Sequence, residues 1–297
     1  MIDSNMLEAL GLVLECGGFE KAAKALFISQ SAVSQRIKQL EEYMGQVLIV
    51  RTSPPKPTPA GRQILKYYKQ VKYLEEDVVS RLVSGTEKKY TILNLGVNAD
   101  SLSTWFFNIV NNFYKENNIL FHLIVEDQEE THKLLKDGEV VGCISSNNIV
   151  VQGCSCDYLG AMQYKFAASP SFCQKWFGNG IEYDNAIEAP IVNYNTKDTI
   201  HKQLFNNIFH ELPPKFNTHY VPSPEQLLQA VKCGLGYGAV PSVQAESYYK
   251  TGELIDLFPG VYIDINLYWH YWNIDLRFLK KFTKSLAEQS MHILKPY

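Results

Sequence analysis

Apolar positions in the first ninety residues recur at three- and four-residue spacing, the period of helices with one buried face. Leu7, Leu10 and Leu14 share one side of a helix predicted from Met6 to Leu14, which Gly17-Gly18 ends. Phe19 leads into EKAAKALF, a short second helix whose Ala22, Ala23 and Leu26 are small enough for close packing. A third helix puts Val33, Ile37 and Leu40 on its inner face, with Ser29 as its N-cap and Gly45 as its end. Its outer stripe is odd. Ser31, Ser34, Gln35 and Lys38 share a face there, where a solvated helix usually carries long charged side chains. The turn Phe27-Ile28-Ser29 between the second and third helices has helix-turn-helix proportions. Beyond it, Val47 to Val50, the turn Ser53-Pro54-Pro55 and Lys56-Pro57-Thr58 predict a two-stranded wing carrying Arg51, Thr52 and Lys56.

Thr58-Pro59 starts a fourth helix, with Thr as N-cap and Pro at the first helical position. Ile64, Tyr67, Val71, Leu74 and Val78 then follow coiled-coil spacing over a short seam. Such a seam either pairs two chains or lays an amphipathic helix on its own domain.

From Tyr90 the pattern alternates. TILNLGV, ILFHLIV, VVGCIS, PIVNY, THYV and YGAVP read as strands. Between them lie helices over Ser101 to Tyr114, EETHKLLKDG, the region of Leu204 and PEQLLQAVKCG, with a last helix from Asp275 to His292. The alternation predicts open α/β sheets with helices on their faces. Ligands in such sheets bind where strands end and helices begin. That rule selects Asn98, Asp100 and Ser101 after the first strand, Glu126 and Asp127 after the second, Ser145 after the third, and Ser223 farther on, with Asn193-Tyr194-Asn195 at an equivalent strand end. Helix-start N–H groups with Ser101 could hold a carboxylate, and Asp100, Glu126 or Asp127 a cation, a combination suited to a basic amino acid. Asp100 is equally readable as an N-cap, and Glu126 and Asp127 as solvated loop acids.

Composition narrows the class. The 297 residues, 46% hydrophobic and 20% charged, suit a folded protein of two or three domains. The chain has no long apolar run and an acidic start, MIDSNMLEALGLVLE, so we expect no membrane span, no secretory signal and a cytoplasmic location. Six scattered cysteines without a C-x-x-C pair predict reduced thiols and no metal site. The net charge of −3 hides a basic segment: residues 21–72 carry ten Lys and Arg against only Glu41 and Glu42. A local polyanion partner, nucleic acid first, or a solvated helical surface would account for it. No Gly-rich phosphate loop, G-x-S-x-G elbow or H-E-x-x-H occurs, and the seven histidines are dispersed, so no enzyme is predicted.

The combination FEKAAKALFISQSAVSQRIKQLEEYMGQVLIVRT…PTPAG resembles the winged helix-turn-helix of LysR-type transcriptional regulators. The matching points are Ala32-Val33-Ser34, Ile37, Leu40-Glu41, Gly45, Leu48, Arg51 and Thr58-x-x-Gly61; Ser31 stands where many members have proline. The resemblance implies that the third helix enters the major groove of duplex DNA. Gln30, Ser31, Ser34, Gln35 and Lys38 would then face base edges, and Arg36, Arg51, Thr52 and Lys56 would contact phosphates.

GVNADSLSTWF, VEDQEETHKLLKDGEVVGCIS, GELIDLFPG and LYWH are similar to the arginine/lysine-responsive subgroup of that family, which controls basic amino-acid exporters and includes proteins described as inhibitors of chromosome initiation. The implied organisation is a DNA-binding domain over 1–58, a dimerising linker helix over 59–88 and a periplasmic-binding-protein-like effector domain over 89–297. Subdomain I would take 89–161 and 267–297, and subdomain II 162–266. Expected partners are promoter DNA, lysine or arginine, RNA polymerase and further copies of the chain as a homodimer or homotetramer, with no cofactor and no membrane. A different small effector, or a solute-binding or scaffold protein without enzymatic activity, is the alternative.

Overall fold

In the computed structural model, which describes residues 2–82, 90–126 and 128–296, three helices form the first domain. They are α1 (Ser4–Glu15), α2 (Phe19–Leu26) and α3 (Gln30–Met44). The Ser29 hydroxyl accepts the Ala32 N–H at 3.1 Å and opens α3; Gly45, at φ +64°, closes it in the left-handed region that glycine tolerates. Val33, Ile37 and Leu40 pack with Leu7, Leu10, Val13, Ala22, Ala23, Leu48 and Ile49 in one core. The wing is shorter than its sequence suggests. Only β1 (Ile49–Val50) and β2 (Lys56–Pro57) pair, antiparallel, while Val47 is exposed. The chain enters the wing through Glu41, whose carboxylate accepts the N–H groups of Leu48 at 2.8 Å and Ile49 at 3.3 Å.

Helix α4 (Pro59–Leu82) starts on Thr58, whose hydroxyl accepts the Gly61 N–H and donates to the Val47 carbonyl. Gly61 is required by contact: a Cβ there would overlap the Leu48 carbonyl oxygen. Ile64 packs on the first domain and Tyr73 on the second, its ring against Trp272 and Phe278. Tyr67, Leu74 and Val78, from the seam, stay exposed.

The second domain contains one mixed sheet of nine strands. Its first half holds the parallel strands β3 (Thr91–Val97), β4 (Ile119–Val125) and β5 (Gly142–Ser145). Around them lie a helical run through α5 (Ala99–Ser101), a π-helical turn (Leu102–Phe106) and α6 (Phe107–Glu116), then α7 (Gln128–Lys136). The run is longer than Ser101 to Tyr114 because it begins directly after β3. Next comes β6 (Cys154–Ala168), the longest strand, which the alternation rule does not reveal. The chain continues through α8 (Pro170–Trp176), α9 (Tyr183–Glu188), β7 (Ile191–Asn193), α10 (Ile200–Phe209), β8 (Thr218–Tyr220), α11 (Pro224–Lys232), β9 (Tyr237–Pro241), α12 (Ser242–Thr251), β10 (Ile255–Asp256), β11 (Ile263–Trp272) and α13 (Arg277–Ser290).

Strands β6 and β11 run antiparallel to each other down the middle of the sheet. Early in its length β6 pairs with β11 and bridges Lys295 at Ala161; from Tyr164 to Ala167 it also pairs with β9, beside which β7 and then β8 run parallel. The β6–β11 register slips at Leu267/Tyr268, opposite Gly160, where a β-bulge turns the pair. Gly160 has φ +128° and lies against Leu294 and Lys295, leaving no room for a side chain. The sheet therefore has two halves that share one buried core, from Leu93 and Phe106 through Trp269 to Leu204 and Phe205.

Candidate DNA-binding face and ligand cleft

The outer face of α3 is laid out by its inner one. With Val33, Ile37 and Leu40 fully buried, Gln30, Ser31, Gln35 and Lys38 are exposed, and Ser34 and Arg36 half-buried at the flanks. The Ser31 hydroxyl lies 2.9 Å from that of Ser29, so the residue that replaces the more usual proline braces the N-cap. Lys38 pairs with Glu42 at 3.5 Å, an exposed contact that contributes little and is easily exchanged for phosphate.

In the wing, the Arg51 guanidinium lies 5.6 Å from the centre of the Phe19 ring, which steers it toward the start of α2. Lys56 is exposed on β2. Thr52 is less free, since its hydroxyl donates to the Pro54 carbonyl and its N–H to that of Val50. Short polar groups on a protruding helix, flanked by cations on a wing, match what a major groove and its phosphate rims require.

A cavity of about 320 Å³ opens between the sheet halves, within the size range of small-ligand sites. The first half contributes Asn98, Asp100, Glu126 and Ser146; the second contributes Tyr194, Asn195, Lys197, Asp198, Thr199, Ile200 and Gln203, with Ile265 between. The strand-end rule thus places Asn98, Asp100 and Glu126 on the wall. Asp127 lies outside the described residues.

Three candidates do not line the cavity. Ser101 is fully buried one turn into the helix. Ser145 is buried too, and its hydroxyl accepts the Asn147 N–H, shaping the turn that presents Ser146. Ser223 caps α11, accepting from the Gln226 N–H and donating to Glu225.

The N-cap of the helical run is Asn98, not Asp100, yet the Asn98 side chain makes no capping bond. Asn98 is 4% exposed, and its Oδ1 has no hydrogen-bond partner; the Ser101 hydroxyl is in the same state. An acceptor buried without a donor at a cavity wall marks a place for one supplied from outside. Asp100 sits in the first turn, its carbonyl accepting from the Ser103 and Thr104 hydroxyls where the helix widens into the π-turn. Its Oδ2 accepts from the Tyr164 hydroxyl at 2.6 Å. Burial pushes the Asp100 carboxyl up to about 6; the Tyr164 bond opposes this, and the negative charges of Asp198 and Glu225 add to it.

The facing loop is self-supporting. Asn195 Oδ1 accepts the N–H groups of Lys197 and Asp198, and Asp198 Oδ1 accepts that of Ile200 at the start of α10. Tyr164, Asp198 and Gln203 carry no strand-end signal in the sequence; Asp198 and Gln203 reach the cavity through tertiary approach, and Tyr164 reaches Asp100 on its wall.

Residues 4–62 match the family described as bacterial regulatory helix-turn-helix protein, lysR family, and residues 91–288 match the LysR substrate binding domain. The HTH-type transcriptional regulator ArgP of Vibrio vulnificus (strain YJ016) is 36% identical over 287 residues, 97% of this chain and 96% of the relative. The crystal structure of ArgP from Mycobacterium tuberculosis superimposes with a TM-score of 0.92 at 32% identity, covering both chains in full. Full-length LysG from Corynebacterium glutamicum with bound effector Arg gives 0.83 at 32% identity, over 99% of this chain and 100% of that one. The helix-turn-helix face, the cleft between the sheet halves and these full-length likenesses agree: the chain belongs to the LysR family of bacterial transcriptional regulators.

Proposed function

We propose that the protein is a cytoplasmic, non-enzymatic regulator that binds promoter DNA through α3 and the wing, and senses arginine or lysine in the cleft. The observation that carries the effector assignment is the cavity wall itself. The wall carries three carboxylates, Asp100, Glu126 and Asp198, against the single cation Lys197 among its described lining residues, together with the unpartnered Asn98 Oδ1, and a guanidinium or ammonium donates to such acceptors. The likeness to arginine-bound LysG supports the same ligand class.

Gln30, Ser31, Ser34, Gln35 and Lys38 take the base-facing role, and Arg36, Arg51, Thr52 and Lys56 the phosphate-facing one. The functional division follows residues 1–58, 59–88 and 89–297, with 89–161 and 267–297 as one ligand-closing lobe and 162–266 as the other. The exposed apolar stripe of α4 pairs with a second copy, giving a dimer or a tetramer that reads two half-sites and meets RNA polymerase.

The test combines titration calorimetry with footprinting on the promoter of the adjacent gene. Arginine or lysine should bind and alter the footprint, while citrulline and norleucine, which lack the side-chain cation, should not. Gln35→Ala should cost about 1–3 kcal/mol at one base pair, whereas Arg51→Ala should weaken all sequences alike and lower the salt slope by about one. A footprint indifferent to both amino acids removes the effector assignment; unchanged DNA binding in both variants removes the interface.

A further inference from the structure

Tyr164 lies on β6 beyond the bulge, paired with Ile263 of β11 and Pro241 of β9, so it belongs to the second sheet half. Its ring is 2% exposed and packed in the core. Its hydroxyl nevertheless crosses to the first half and ends on Asp100 Oδ2 at 2.6 Å, the length of a bond to a charged acceptor. Asp100 Oδ1 makes no bond to any described residue, and Asp100 lines the cavity. Asn98 Oδ1, buried and unpartnered, lies on the same wall.

We propose that Tyr164 is the positioning residue of the cleft: its hydroxyl pins one oxygen of Asp100 across the two lobes, leaving the other oxygen, beside Asn98, to receive the cationic end of the ligand. The assignment rests on the proposed basic amino-acid site and extends it to a residue that does not itself line the cavity.

The electrostatics give the hydroxyl a second task. Asp100 is faced by Asp198 from the loop before α10 and by Glu225 from α11, and shares the cavity with Glu126 and Lys197. Burial and the two facing carboxylates favour its neutral form; the Tyr164 bond opposes them, favouring the ionised form that a cation needs. Without that bond, Asp100 holds its proton to higher pH, and a cation must displace it to bind. Arginine itself changes charge little between about pH 5 and 8, so a break in affinity over that window reports the protein.

The experiment is arginine titration of the full chain, with Tyr164→Phe and Asp100→Asn, from about pH 5 to 8, alongside carbon-13 NMR titration of the Asp100 carboxyl without ligand. The wild-type affinity should fall about tenfold per pH unit below about pH 6 and level off above it. Tyr164→Phe, which keeps the buried ring, should move that break upward, so that its loss of affinity is larger at about pH 6.5 than at about pH 8. Asp100→Asn should abolish the break and lower affinity at all pH values. In the ligand-free arm the Asp100 titration should move up in Tyr164→Phe. An equal loss at every pH, or an unmoved Asp100 titration, overturns the positioning role. If the wild type binds neither arginine nor lysine, the effector assignment falls, and the ligand-free arm still decides whether Tyr164 governs Asp100.

Discussion

A carboxyl group held above its ordinary pKa in the folded chain binds protons more tightly there than in the unfolded chain, so folding loses stability as pH rises through that interval. Asp100, pushed up to about 6, is such a group. Its cost is absent below about pH 3, where both states are protonated, grows to about pH 6 and stays constant above. Asp100→Asn should therefore change the melting temperature little at about pH 4 and raise it more at about pH 7. Thermal melts of the two proteins at both values check this, and an equal shift at both would assign the effect to packing instead. His201 works with the opposite sign: burial among Phe166, Phe216 and Tyr237 lowers it to about 3, so its contribution is lost as pH falls below its ordinary range. It is common to both proteins and drops out of the comparison. A destabilising acid at a cavity wall is what a cation-binding site costs when the cation is away.

At the scale of elements, what the sequence made legible was what is local. Ser29, Gly45 and Thr58-Pro59 bound their helices through bonds spanning three or four residues, and the inner stripe of α3 set its outer one. Asn98, Asp100 and Glu126 followed from the rule that helices begin where parallel strands end. Strand β6 escaped because the alternation in CSCDYLGAMQYKFAA is confined to Met162-Gln163-Tyr164-Lys165-Phe166, between the runs 159–162 and 166–168 that are buried on both faces. With β6 went Tyr164, 64 residues from the carboxylate it holds, since no short-range pattern encodes that contact. Helix α4 packs on its own chain along one side and keeps the other side open for a second copy, as proposed above. Tyr73 packs on the second domain, while Leu74, Val78 and Leu82 stay exposed on an apolar stripe. Val78→Glu should therefore loosen the dimer without unfolding the chain, because 49% of Val78 is already exposed. Sedimentation velocity at falling concentration should show monomer appearing earlier than in the wild type; an unchanged dissociation would place the dimer contact elsewhere.

At the scale of the whole molecule, α7 runs from the cleft wall to the contact of the second domain with α4. It begins just past Glu126 at the cleft wall and ends at Lys136, next to Asp137, whose carboxylate lies 3.5 Å from the Arg62 guanidinium on α4. Arg62 also donates to the Pro57 carbonyl at the foot of the wing, and Gly138, at φ +75°, packs directly beneath Lys66. A shift of α7 on ligand binding would therefore be felt where the DNA-binding domain is anchored. The Arg62–Asp137 pair is partly exposed, so it contributes about 0.5–1 kcal/mol, a useful share of the few kcal/mol over which allosteric coupling operates. Asp137→Asn should bring the ratio of operator affinities with and without arginine closer to one by about two- to fivefold. Linkage requires the effect of operator DNA on arginine affinity to shrink by the same factor, while arginine binding without DNA stays near its wild-type value. Calorimetry of arginine into the free protein and into the protein–operator complex measures both sides of that cycle. Coupling that survives intact in Asp137→Asn would mean that the ligand's message reaches the DNA-binding domain by a route other than the end of α7.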